Sequence, residues 1–201
     1  MKLLRCADSG LLVEFGELPE VLAMHAALTA ELPKGVTELV PAARSLLLRL
    51  DPEHADIEKI EALVRALPGR RAAERELVSV PVAYDGEDLR AVAQLTGLTE
   101  FEVVDAHTST EWTVSFGGFV PGFGYLSGDR ARLDVPRRTV ARTRVPAGSV
   151  ALNGTFSGIY PRDTPGGWQL IGHTDLEVWR TDRDPPALLR PGVRVRFQET
   201  V

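Results

Sequence analysis

Residues 115–174 contain SFGGFVPGFGYLSG (Ser115–Gly128), RTRVPAGSVALNG (Arg142–Gly154) and SGIYPRDTPGGWQLIGHT (Ser157–Thr174), and no other part of the chain is so heavily punctuated by glycine and proline. Eleven of the 18 glycines lie between Thr113 and Gly172, interleaved with Phe119, Phe123, Tyr125, Tyr160 and Trp168. Glycine and proline supply tight turns, so the aromatic rings are presented from short connections. Between the turns lie β-branched runs at Trp112–Val114, Arg144–Val145, Ser149–Leu152, Leu176–Trp179 and Val193–Phe197. The pattern is that of a barrel or sandwich of short strands.

Upstream of this stretch, Gly86–Leu95 and Thr99–His107 read as two short helices expected to close one end of the barrel. The second begins with a capping box, Thr99 and Glu102 satisfying each other's backbone donors. In the first third, Val21, His25, Leu28 and Leu32 share one helical face and Ile57, Ile60, Val64 and Leu67 another. Asp51-Pro52 reads as the start of the second helix and Pro68-Gly69 as its end. Strands are expected at Leu3–Cys6, Leu11–Phe15, Val36–Val40, Ser45–Leu50 and Leu77–Val82. Two strands, a helix, two strands, a helix and a strand are close to a ferredoxin-like α/β sandwich. The boundary is expected near Pro81–Gly86, giving an N-terminal α/β domain over 1–83 and a barrel over 84–201 in an α+β protein.

The chain has 201 residues, 44% hydrophobic and 25% charged, a globular balance that argues against disorder. Arg5 and Asp8 interrupt the start before any apolar signal region develops, and no run approaches the ~20 apolar residues of a membrane span. The expectation is a cytoplasmic protein that does not engage a membrane. Cys6 is the single cysteine and is expected to be a buried apolar thiol; no Cys or His cluster has metal-ligand spacing. Residues 1–111 carry 11 basic and 20 acidic side chains, residues 112–201 carry 12 and 8, and every basic residue of the second part is arginine. Arginine suits bidentate contact with a carboxylate or phosphate. The negative total charge and the absence of a binding motif exclude a nucleic-acid partner from the reading.

Taken in order, GFVPGFGYLSG, PAGSVALNG, SGIYP and PGGWQLIGHT resemble the B-type subunit of the bacterial ATP-hydrolysing 5-oxoprolinase. The family is also called allophanate hydrolase subunit 1 or the kinase A inhibitor family, and it recurs within the carboxyltransferase part of urea carboxylase. The resemblance covers nearly the whole chain and implies a small α/β domain joined to a cyclophilin-like β-barrel. It implies a non-autonomous component, inactive alone, of an enzyme that opens 5-oxoproline to glutamate at the expense of ATP, through phosphorylation of the amide oxygen and attack of water. ATP then belongs to the complex rather than to this chain. The partners so implied are a cyclophilin-like C-type subunit, of the allophanate hydrolase subunit 2 kind, and an A-type subunit. Two further activities stay open: a carboxyltransferase component of a biotin-dependent urea carboxylase or allophanate-type system, and a regulatory protein that inhibits a histidine kinase.

The residues narrow the chemistry. Lys2, Lys34 and Lys59 are the only lysines, so no lysine can activate Ser149 or Ser157 in the manner of a Ser-Ser-Lys amidase. Those serines read as turn and hydrogen-bonding residues. The phosphate-cradling G-x-x-x-x-G-K-[ST] is absent, and Met1-Lys2 at the extreme terminus is no biotin-attachment hairpin, so biotin would be carried by another polypeptide. What remains is an aromatic concave face with convergent polar groups for a small carboxylate substrate. The candidates are Pro121, Phe123, Tyr125, Arg142, Arg144, Asn153, Tyr160 and Gln169. Arg142 and Arg144, two apart on an extended segment, are expected to clamp one carboxylate. His173 is the acid or base candidate, and His107 is a further residue expected to line the site. Two positions depart from the family pattern: Phe156 stands where the family commonly has glutamine, and His173 where it commonly has arginine.

Overall fold

The computed structural model describes residues 1–70, 76–128 and 131–200. Two compact units divide the chain, Met1–Ala73 and Glu74–Val201. The first unit runs β1 (Lys2–Cys6), β2 (Gly10–Glu14), α1 (Leu18–Ala30), β3 (Val36–Pro41), β4 (Ser45–Leu50) and α2 (Ile57–Ala66). Its four strands form an antiparallel sheet in the order β1-β2-β4-β3. In a ferredoxin-like sandwich the edge beside β2 belongs to a strand that follows the second helix; here β1 occupies it.

The helix faces differ in detail from their expectation. α1 stops at Ala30 and buries Val21, Met24, Ala27 and Leu28, while Leu32 lies beyond it in solvent. α2 starts at Asp56, whose side chain accepts from Lys59 N–H (3.1 Å), because Asp51 is already used in a turn that ties Glu53 N–H (3.0 Å) and His54. Cys6 is exposed, not buried, since the β1 side chains at Arg5 and Cys6 face water.

The second unit opens with β5 (Leu77–Val82), the strand expected to complete the first domain. It lies parallel to β13 (Arg194–Glu199), and Val80 and Val82 enter the second unit's core. The division therefore falls before β5 and not at residue 83. Between them follow α3 (Leu89–Thr96), α4 (Glu100–Ser109), β6 (Trp112–Gly117), β7 (Gly124–Ser127), β8 (Arg142–Val145), β9 (Ser149–Asn153), β10 (Phe156–Ile159), β11 (Thr164–Gly166) and β12 (Gln169–His173). The Thr99–Glu102 capping box opens α4 as expected. Leu176–Trp179 is not a strand; it keeps only the bridge from Trp179 to Ala187.

Seven strands form one sheet in the order β12-β9-β10-β7-β6-β13-β5. The sheet closes on itself where Ala83, just past β5, exchanges backbone hydrogen bonds with His173 of β12 (2.9 Å each way). Closure removes both edges of the sheet. It needs glycine at 172, where a Cβ would lie 2.4 Å from the Ala83 carbonyl oxygen.

Side chains alternate across the barrel wall. Val150, Leu152 and Ile171 belong to the interior core, which α3 and α4 complete with Val92, Val103 and Val104. Their neighbours Ala151 and Leu170 belong instead to an outer cluster with Phe123, Val145, Tyr160 and Trp168. The ribbon of β8 and β11 contributes Val145 to that outer cluster. Burial on both faces explains why Val150-Ala151-Leu152 and Leu170-Ile171 are uninterrupted apolar runs rather than alternating ones.

Candidate functional site

The loop between β6 and β7 is folded tightly. Val120 N–H donates to Gly118 C=O (2.8 Å), Phe123 N–H to Val120 C=O (3.1 Å) and Gly118 N–H to Phe123 C=O (3.2 Å). This path holds Phe119 at φ +70°, a conformation that a bulky residue adopts only under strain. Its ring is 57% exposed and meets Phe123 (centroids 5.5 Å apart) and Tyr160 (6.2 Å) edge to face. With Ala187, Leu189, Arg190 and Pro191 the loop walls an open cleft of ≈ 450 Å³.

Phe123 is the hub of the outer cluster. It stands edge-on to Tyr125 (5.1 Å), Trp168 (5.2 Å) and Tyr160 (5.3 Å), and Tyr125 stacks on Phe116 (4.4 Å). Each such pair adds about 0.5–1.5 kcal/mol beyond its buried area, so the rings form a rigid floor. Burial raises the pKa of Tyr125 and Tyr160 above the ordinary phenol value. At Tyr160 a hydrogen bond from the Trp168 backbone and the Arg137 charge oppose that rise without cancelling it. Both hydroxyls are therefore protonated at neutral pH and can donate to an anion.

A second polar group lies along the barrel seam. Asp88, almost fully buried, accepts from Leu170 N–H (2.7 Å) and Arg142 Nη2 (2.9 Å) and pairs with Arg138 Nη1 (2.5 Å). Desolvation works against its charge, but hydrogen bonds from Arg142 and Leu170 and the two guanidinium charges hold its pKa below the ordinary value. Arg142 also reaches Glu87 (3.0 Å), and the exposed His173 Nδ1 lies 2.8 Å from Asp85 Oδ1.

The structure brings Pro121, Phe123, Tyr125 and Tyr160 together around the loop and the aromatic floor. It does not form the expected arginine clamp. Arg142 is occupied by Asp88 and Glu87, and Arg144, pointing into solvent, is occupied by Asp163 (2.7 Å). Gln169 is buried with its amide donating to Pro136 C=O (3.0 Å). Asn153 ends β9. His173 sits at the seam, with Asp85 as its partner.

His107 does not line a site. It is fully buried in the barrel, stacked on Phe197 (4.2 Å), with Nδ1 2.7 Å from Tyr84 Oη and Nε2 2.8 Å from Ser157 Oγ. Desolvation pushes its pKa down to about 3, so the imidazole is neutral. Sequence reasoning does not place Asp88, Arg137, Phe119 or Trp168 among the binding candidates. For the last two the signal was their place between glycines. For Asp88 no local signal exists, because its partners lie 50 to 82 residues away.

Among the described residues no helix is long and apolar enough to cross a membrane, and no group of His, Cys, Asp and Glu has metal-site geometry. Residues 1–189 match the family model of the carboxyltransferase domain, subdomains C and D. The chain belongs to this family. The B-type subunit of 5-oxoprolinase from Escherichia coli O157:H7 is 45% identical over 168 residues, 81% of this chain and 77% of that protein. The crystal structure of TTHA0988 superposes with a TM-score of 0.80 at 39% identity, over 96% of this chain but only 40% of that polypeptide. Urea carboxylase of Kluyveromyces lactis has a TM-score of 0.81 at 18% identity, over 99% of this chain and 22% of that one; it shares the fold.

Proposed function

We propose that this chain is the B-type subunit of a 5-oxoprolinase, a hydrolase that opens the ring amide of 5-oxoproline to give glutamate. The observation that carries the reading is the 45% identity to the Escherichia coli relative across most of both chains. The reaction breaks the ring C–N bond; water supplies the hydroxyl taken up at the carbonyl carbon and the proton taken up at nitrogen. On this chain the aromatic floor with the Tyr125 and Tyr160 hydroxyls is the part suited to holding a small flat substrate, and holding it in place is the contribution such a surface makes to rate.

The residues present do not fit a nucleotide. The barrel has no lysine, Arg138, Arg142 and Arg144 are matched to internal carboxylates, and no phosphate-cradling motif exists. ATP is therefore assigned to another polypeptide of the complex, and no step through it is placed here. The partners are a cyclophilin-like C-type subunit and an A-type subunit, and the chain alone is inactive. A carboxyltransferase role, with carboxybiotin on the same face, is the competing reading and is favoured only by the family description.

The test is 5-oxoproline-dependent ATP hydrolysis by this chain co-purified with its two partner polypeptides, each omitted in turn. Activity in the complete set alone is the expected result. A demonstrably assembled but inactive complex that binds biotin would overturn it in favour of the carboxyltransferase reading.

A further inference from the structure

Among the arginines at residues 132–144, Arg138, Arg142 and Arg144 are each paired with a carboxylate. Arg137 is engaged by no carboxylate of the described residues, although it is held beside the outer aromatic cluster. The next residue, Arg138, donates its N–H to Gly167 C=O (2.8 Å), which fixes this segment against the turn before Trp168. The Arg137 guanidinium lies over Gly167, with Nε and Nη2 3.7 Å from the point a Cβ there would occupy. One residue earlier, a Cβ on Gly166 would fall 2.5 Å from Tyr160 Oη. Gly166 thus lets the Tyr160 ring edge pack on the backbone and Arg137 lies in van der Waals contact over Gly167, so a guanidinium with no acid among the described residues and a protonated phenol border the same glycine pair, next to the rings of Phe123 and Trp168. The Arg137 charge is felt at both Tyr125 and Tyr160, where it opposes the effect of burial.

We infer that Arg137, with the Tyr160 and Tyr125 hydroxyls, forms the carboxylate-binding end of a ligand site whose apolar wall is Phe119, Phe123 and Trp168. Resting on the 5-oxoprolinase reading, this gives the substrate an orientation: carboxylate on Arg137, flat ring against the aromatic edges. A guanidinium without an internal acid can give both its donors to one carboxylate, whereas Arg142 and Arg144 would first have to release Asp88 and Asp163. The ligand class is a small monocarboxylate with a planar ring.

The experiment compares wild type, Arg137→Ala, Arg137→Lys and Arg162→Ala in the assembled complex, with kcat and KM for 5-oxoproline measured separately. Arg162 is exposed and lies outside the proposed site, so its loss reports the change in net charge alone. Arg137→Ala is expected to raise KM roughly 10- to 100-fold, Arg137→Lys to recover part of it, and Arg162→Ala to stay within about twofold. In parallel the isolated chain and its Arg137→Ala variant are titrated with 5-oxoproline and with acetate while the Trp168 indole resonance is followed. Unfolding midpoints should be equal, because the Arg137 side chain is exposed. Turnover with equal KM for the Arg137→Ala and Arg162→Ala variants would remove Arg137 from the site and leave the function standing. A complex without turnover whose Trp168 resonance shifts with a carboxylate only when Arg137 is present would uphold the site and overturn the function. Neither turnover nor an Arg137-dependent shift would overturn both.

Discussion

The two sides of the barrel wall treat polar groups in opposite ways. Inside, the Tyr84 hydroxyl, both His107 nitrogens and the Ser157 hydroxyl sit in one hydrogen-bonded line, with Trp112 Nε1 donating to His107 C=O. Outside, the Tyr125 hydroxyl and the Arg137 guanidinium have no carboxylate partner among the described residues, and Phe119 is held strained and exposed. A polar group sealed from water must find its partner within the fold, whereas one at a surface can wait for a ligand. The difference gives the interior line a role in stability and fits the outer face to the ligand site proposed above. It corrects the expectation that His107 belongs to the site.

The comparison breaks first at His107. His107→Ala leaves a cavity and two orphaned hydroxyls, and should cost about 3–5 kcal/mol in chemical denaturation; a loss below about 1 kcal/mol would mean the line contributes little. Asp88→Asn leaves Arg138 and Arg142 facing a neutral amide at the seam and should cost about 2–4 kcal/mol, reduced by the partial exposure of Arg138.

The interior line also has a pH signature. His107 is neutral in the fold, with its pKa lowered from 6.5 to about 3, so the unfolded chain binds the extra proton first. Stability is complete above about pH 6.5 and should fall by about 1.4 kcal/mol per pH unit as pH drops below it, levelling off only near the folded pKa. Denaturation at about pH 7.5 and about pH 5.5, either side of the unfolded value, should show this slope, and His107→Gln should remove it.

On the outer face the effects on stability shrink while those on binding grow. Tyr160→Phe loses the hydroxyl that accepts from Trp168 and should cost about 1 kcal/mol, with a weakening of 5-oxoproline use several times larger than that of Thr37→Ala, a change in the first unit. Phe119→Gly relieves the positive φ but gives up the ring contacts with Phe123 and Tyr160, so its melting temperature should move least of all. Its ligand affinity should still drop, and a rise would show that the strained ring obstructs the site.

Local chemistry was legible. The Thr99–Glu102 capping box, the strands at Ser45–Leu50 and Leu77–Val82 and the glycine-rich turns all lie where short-range rules place them. Expectations failed where a competing partner was distant or already engaged. Asp51 gave up the helix cap to Asp56 because its carboxylate was taken by Glu53 and His54. β5 left the first domain because β13, more than a hundred residues later, offers it a full parallel ladder. The arginine clamp failed because each guanidinium found an acid on another element, Asp88 from the start of α3 and Asp163 from the turn before β11.

From the chain alone came the family resemblance, the barrel of short strands and the aromatic, glycine-flanked character of the site, since these depend on residue type and spacing. Which charges are free could come only from the tertiary structure. Arg137 and Arg142 are alike as letters, five positions apart. Closure of the barrel at Ala83 and His173 carries Asp88 to one of them and leaves the other without an acid among the described residues. A hydrogen-bonded ion pair needs its two groups within about 4 Å whatever their separation in sequence, so the fold has to form before it is decided which arginine supports the structure and which can receive a ligand.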